Sequence, residues 1–127
     1  MASLADALFD RLSTITAIGG PTAPRVYRSR LPQPYQLPAL TYHRVDTAFE
    51  YAHDGDQLVI HPRYQISCWA NTNAEAEALA RTAQTTLDGW THTQLNAALP
   101  QGQYDVTDPE TGVWQVVLDV IVWWKVV

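Results

Sequence analysis

Four histidines, one cysteine and a short run of arginines are the residues of this 127-residue chain whose types could do chemistry. His43 and His61 fall in segments that read as strands, and His53 stands beside Asp54 and Asp56 in the run HDGD. A metal site needs such ligands at a workable spacing. No pair has the His-Glu-x-x-His spacing, and HDGD lacks the later ligands of a calcium loop. Polar strand and turn chemistry accounts for the same positions. Cys68 would need exposure and a nearby base to act as a nucleophile. Its parity sets it beside Tyr64 and Ile66 on a core face, as suits a buried structural thiol. Arg25, Arg28 and Arg30, with Tyr27, could form a nucleic-acid patch. Parity splits them, Arg28 and Arg30 on one face and Arg25 on the other, so surface ion pairs are the plainer use. There is no glycine-rich phosphate loop and no Ser-His-Asp order with local support. A scattered active site leaves no local motif, but nothing in the chain argues for one. The expectation is a protein that is not an enzyme and holds no metal or cofactor.

Composition narrows the class further. Hydrophobic residues make up 46% of the chain, which suits a globular protein, and 127 residues suffice for one domain with a real core. Charged residues are only 17%, below the roughly 25% usual for soluble domains, so part of the surface is not meant for water. A net charge of −5 disfavours a sequence-independent grip on nucleic acid. The single cysteine forms no internal disulfide, so the chain does not require an oxidising compartment. Asp6 and Asp10 interrupt the first apolar stretch, so it does not read as a signal peptide. The longest apolar run, Val120 to Trp124, is too short to cross a bilayer as a helix, and no membrane partner is expected.

The elements that must position these residues follow from periodicity. Ser3 caps a helix from Leu4 to about Leu12, with Leu4, Leu8, Leu12 and Ile15 in one stripe. Gly19, Gly20 and Pro21 end it. Arg25 to Arg30 alternates as a short strand. Leu31 to Pro38, with three prolines, is an irregular extended connection. Ala39 to Thr47 is a second strand, followed by a turn signal at 53–56. Leu58 to Ala70 is a third. Pro62 cannot donate to a ladder, so that strand lies at an edge, is bulged or is broken there. Thr72-Asn73-Ala74-Glu75 has capping-box spacing and opens a helix with Ala76, Leu79, Ala80, Ala83 and Leu87 in one stripe, stopped at Gly89. Thr91 to Gly102 reads as a loop. Tyr104 to Thr107 is a short strand, and 108–112 is a turn.

The closing stretch, GVWQVVLDVIVWWKVV, organises the rest. Trp114, Val116, Leu118, Val120, Val122, Trp124 and Val126 are all apolar at a period of two. The alternate face mixes Val117, Ile121 and Trp123 with Gln115, Asp119 and Lys125. That is more apolar area than a free surface usually carries, so this face meets another subunit or is covered within the domain. The order α-β-β-β-α-β-β predicts an α+β fold over residues 1–127: a mainly antiparallel sheet with two helices packed on one face.

Four segments taken together resemble the tail-completion, or tail-terminator, proteins of long-tailed bacteriophages and related prophages. They are LADALFDRLS, VYRSRLPQPYQLPALTYHRV, RYQISCWANTNAEAEALARTAQTTLDG and DPETGVWQVVLDVIVWW. Residues 48–57 and 91–102 have no match. The resemblance implies a structural virion protein, assembled in the host cytoplasm, that forms a ring, usually of six copies, at the head-proximal end of the tail tube. Such a ring stops tube growth and joins the tail to the head connector. Its partners would be itself, the major tail tube protein and the head-tail connector protein, with duplex DNA passing through without specific binding. On that reading Val117, Ile121 and Trp123 face a neighbouring subunit, and Glu50, Asp54 and Asp56 line the lumen. Two other readings compete: a head-side connector or stopper protein, and a dimeric α+β module with a small-molecule pocket. Copy number by mass and the presence of a concave apolar pocket separate these.

Overall fold

The computed structural model describes residues 3–20, 22–51, 58–108 and 112–126. Helix α1 spans Leu4–Leu12, and a 3-10 turn follows at Thr16–Ile18. Strand β1 is Val26–Arg28, β2 is Ala39–Tyr51 and β3 is Leu58–Ala70. Helix α2 is Asn73–Asp88, β4 is Leu95–Asp108 and β5 is Val113–Val126. The five strands form one sheet in the order β1-β2-β3-β5-β4. All neighbours are antiparallel except β1 and β2, which run parallel. The fold is therefore α+β with a mixed, mainly antiparallel sheet.

Both helices begin where side-chain chemistry starts them. Ser3 Oγ accepts the Asp6 N–H at 3.1 Å, and Thr72 Oγ1 accepts the Glu75 N–H at 3.2 Å. Each satisfies a first-turn donor that has no helical acceptor. The 3-10 turn ends at Gly19, whose φ of 105° is left-handed. A Cβ there would run into the Ala23 carbonyl, so glycine is required. The helices pack on one face of the sheet. Their stripes (Leu8, Leu12, Ala76, Ala83 and Leu87 among them) meet Tyr64, Ile66 and Cys68 from β3 and Val116, Leu118, Val120 and Val122 from β5. Arg11 joins the two helices by donating from Nε to the Thr86 carbonyl at 2.8 Å, close to the C-terminal end of α2, where a cation is favoured.

Three expectations are corrected. The stretch 91–102, read as a loop, supplies the first half of β4, which extends unbroken from Leu95. Its alanines, Pro100 and Gly102 carry little strand propensity. The long apolar strand β5 imposes the pairing, because its backbone groups would otherwise lie unpaired beside the core. Register shifts between Leu95 and Ala97 and between Pro100 and Gly102 absorb the irregular residues. Strand β2 runs four residues beyond Thr47, to Tyr51, because β3 offers a continuous ladder there. Strand β1 is shorter than the alternating run 25–30. Pro62 sits on a central strand, fully buried. It faces Thr47 on β2, and the β3–β5 ladder skips from Ile60 to Arg63, so the break falls in the ladder rather than at an edge.

Candidate assembly surface

The outward face of the sheet has no helix on it, yet Val117, Ser67 and Thr41 are 3%, 5% and 3% exposed. Side chains lying flat along the sheet produce that burial. Gln115 Nε2 donates to Ser67 Oγ at 2.8 Å, and Trp69 Nε1 donates to Thr41 Oγ1 at 3.0 Å. Gln65 Nε2 donates to Tyr104 Oη at 3.3 Å, bridging strands β3 and β4 above Val117. The His61 and Trp123 rings stack with centroids 4.2 Å apart and planes 15° from parallel. Arg63 lies 3.6 Å from an Asp119 carboxylate oxygen, and the other oxygen, Oδ1, is buried with no partner. The face is thus a pre-ordered polar and aromatic layer. A layer whose side chains are already fixed loses little entropy when a partner docks.

The three residues expected at a subunit contact occupy different depths in this layer. Trp123 and Ile121 are half-buried and reach the surface, whereas Val117 lies beneath its neighbours and has little area left to bury. Of the three expected lumen residues, Glu50 has its backbone in β2 opposite Val59. Asp54 and Asp56 lie outside the described residues, as does His53. His43 and His61 do not face each other: His43 pairs with Gln65, and His61 pairs with Ala48. Among the described residues no three His, Cys, Asp or Glu side chains converge. Cys68 is fully buried, and desolvation pushes its thiol well above its ordinary range, so it stays protonated and unreactive.

Tyr42 and Tyr64 are also held in the neutral form, chiefly by burial. The Tyr42 hydroxyl donates to the Ala5 carbonyl at 3.3 Å, tying the sheet to α1. Beside them, an open hollow of about 350 Å³ lies between the start of α1 and the ends of β3 and β5. Arg28, Arg44 and Gln94 line it together with Trp124 and Ile60. Among the described residues that line it, no base, nucleophile or acid pair converges.

Periodicity did not reveal a second apolar set. Val45 and Phe49 on β2 and Leu99, Tyr104 and Val106 on β4 are 39–59% exposed. The β4 members were hidden because Pro100 and Gly102 break the alternation. A scan for apolar residues one or two positions from a proline or glycine would have found Leu99 and Tyr104, though not their placement at a sheet edge.

The curated proteins contain no match to this chain. Among solved structures, a chain of the "virion of native gene transfer agent (GTA) particle" has the same fold. Its TM-score is 0.73 at 15% identity, over 98% of this chain and 96% of that one. A family model described as "Tail completion protein gp17" matches residues 6–125, from α1 through all but the end of β5. The chain belongs to the gp17 family of tail completion proteins, structural proteins of the bacteriophage tail.

Proposed function

We propose that the protein forms a ring, most simply of six copies, at the head-proximal end of the tail tube. There it ends tube polymerisation and joins the tail to the head-tail connector protein. The observation that carries this reading is the family match over residues 6–125. The likeness in fold to a virion chain supports it. So do the exposed apolar side chains of β2 and β4, Phe49 at 59% foremost, which neighbouring subunits would cover. The major tail tube protein meets one side of the ring and the connector the other. Duplex DNA passes through, and the net charge of −5 removes the counterion release that would make it stick.

Particles assembled without this protein test the assignment. Tubes of uncontrolled length are expected. Tubes of normal length that fail to join heads would move the protein to the head side of the neck. Normal, joined particles would overturn the reading.

A further inference from the structure

The two outer strands of the sheet are each half protected and half open. Strand β1 covers β2 only over Leu40–Tyr42, with the Ser29 N–H bonded to the Tyr42 carbonyl just beyond. From Arg44 onward, the backbone of β2 makes no bond on the side away from β3 among the described residues. Val45 is the extra residue of a bulge, and after it the β2–β3 register is regular. On the opposite edge, β4 is irregular through Pro100 and Gln101 and regular from Gly102 onward. Bulges and prolines are the usual guards against edge pairing. Here they stop short of Asp46–Phe49 on one edge and Gly102–Val106 on the other. Among the described residues, five of the six large exposed hydrophobic residues lie on these two strands.

Charge separates the same two edges. Arg28, Arg30 and Arg44 are exposed on the β1–β2 side, have no ion pair among the described residues, and outnumber the exposed Asp46, so that edge is net basic. Asp105 is the exposed charged residue of β4 among the described residues. An edge meeting its own copy would bring like charges together, whereas opposite edges bring unlike charges together.

We infer that successive copies of this chain join edge to edge, with Gly102–Val106 of β4 pairing with Asp46–Phe49 of β2 in the next copy. The contact is heterologous: each copy uses a different edge toward each neighbour, so it closes a ring or propagates. Strands β2 and β4 run in opposite directions within the sheet. Continuing the sheet therefore makes the junction antiparallel and keeps all helices on one wall. The open stretches are diagonal to one another. Within a copy, Tyr104 shares a row with Val117, Ser67 and Thr41. Facing Tyr104 to Ala48 of the neighbour, which sets Gln103–Val106 against Asp46–Phe49, displaces the copies by seven residues along β2, roughly 23 Å at ~3.3 Å per residue. A closed ring then needs its strands inclined to the ring axis, as a barrel does.

This inference rests on the ring reading only in requiring that copies associate. Ala48 and Val106 are exposed and share the face opposite the helices, so Ala48→Cys and Val106→Cys place thiols for a short bismaleimide cross-linker. The buried Cys68 stays silent. Mixed single variants are expected to give a covalent dimer that neither gives alone, and the double variant a closed covalent oligomer. A covalent dimer of either single variant would show an edge meeting its own copy and overturn the inference. An oligomer by native mass spectrometry without cross-links would overturn the edge pairing and leave the ring intact. A monomer at every concentration would overturn both. Phe49→Lys, at an exposed position, is expected to abolish association with an unchanged circular-dichroism spectrum; an unchanged oligomeric mass would count against the edge.

Discussion

Leu118 and Trp123 sit five residues apart on β5 and point to opposite faces, and they separate folding from assembly. Leu118 is 2% exposed among core side chains, so Leu118→Ala is expected to destabilise the protomer by about 2–5 kcal/mol. Trp123 is stacked on His61 at the surface layer, so Trp123→Glu is expected to weaken association more than folding. Chemical denaturation of dilute protein, set beside native mass spectrometry, measures the two effects. Equal unfolding by both variants would remove Trp123 from the contact face. The buried thiol and phenols give a pH signature. Tyr42, Tyr64 and Cys68 all have raised pKa values in the fold, so the folded state binds their protons more tightly. Their stabilisation is complete below the ordinary values of 9.0 for the thiol and 10.0 for the phenols, and is lost as pH rises beyond them. The denaturation midpoint is expected to fall above about pH 9, and less steeply in a Tyr42→Phe, Tyr64→Phe variant. Equal slopes would reject this account.

At the scale of the element, α2 depends on one hydroxyl for its start. Thr72 Oγ1 accepts the Glu75 N–H, and Thr72→Ala is expected to cost about 1 kcal/mol, with Thr72→Ser largely restoring it. Thermal unfolding of the three proteins measures this. Equal loss in the serine variant would mean that the methyl group, not the hydroxyl, matters. Strand β4 shows the opposite dependence. Its first half has weak intrinsic preference, and it is a strand because β5 needs a partner. Its bulges take Asn96 and Gln101 as extra residues without breaking the ladder.

For the whole molecule, the acidic balance is the feature that DNA would sense. The charges belong to many elements, and Glu50, Asp54 and Asp56 are the group expected to line the passage of a ring. Wild-type protein is expected to bind duplex DNA only weakly and in a salt-sensitive way. A Glu50→Lys, Asp54→Lys, Asp56→Lys variant is expected to bind more tightly at low salt at unchanged oligomeric mass, because each lysine releases counterions from a phosphate. Filter binding across a salt series reads this. Equal binding by the two proteins would take these residues out of the lumen. Tight wild-type binding at physiological salt would end the conduit reading.

The periodicities of α1, α2, β3 and β5, the two N-caps and the face assignment of Cys68 were legible from residue types, because each follows from contacts within a few residues and one apolar stripe. The segments that resembled a family were those same strongly patterned stretches, which is why the family was legible too. Strand β4 was not legible. Its reason for being a strand lies in β5, and residue propensity carries no information about a partner that pairs across a turn. The layer that buries Val117 was equally hidden, since Gln65, Tyr104, Gln115 and Ser67 come from three strands and meet only through register. Edges are the clearest case. Whether Val45, Phe49, Leu99, Tyr104 and Val106 lie inside a sheet or at its rim depends on strand order, which no local pattern encodes and only the tertiary structure decides.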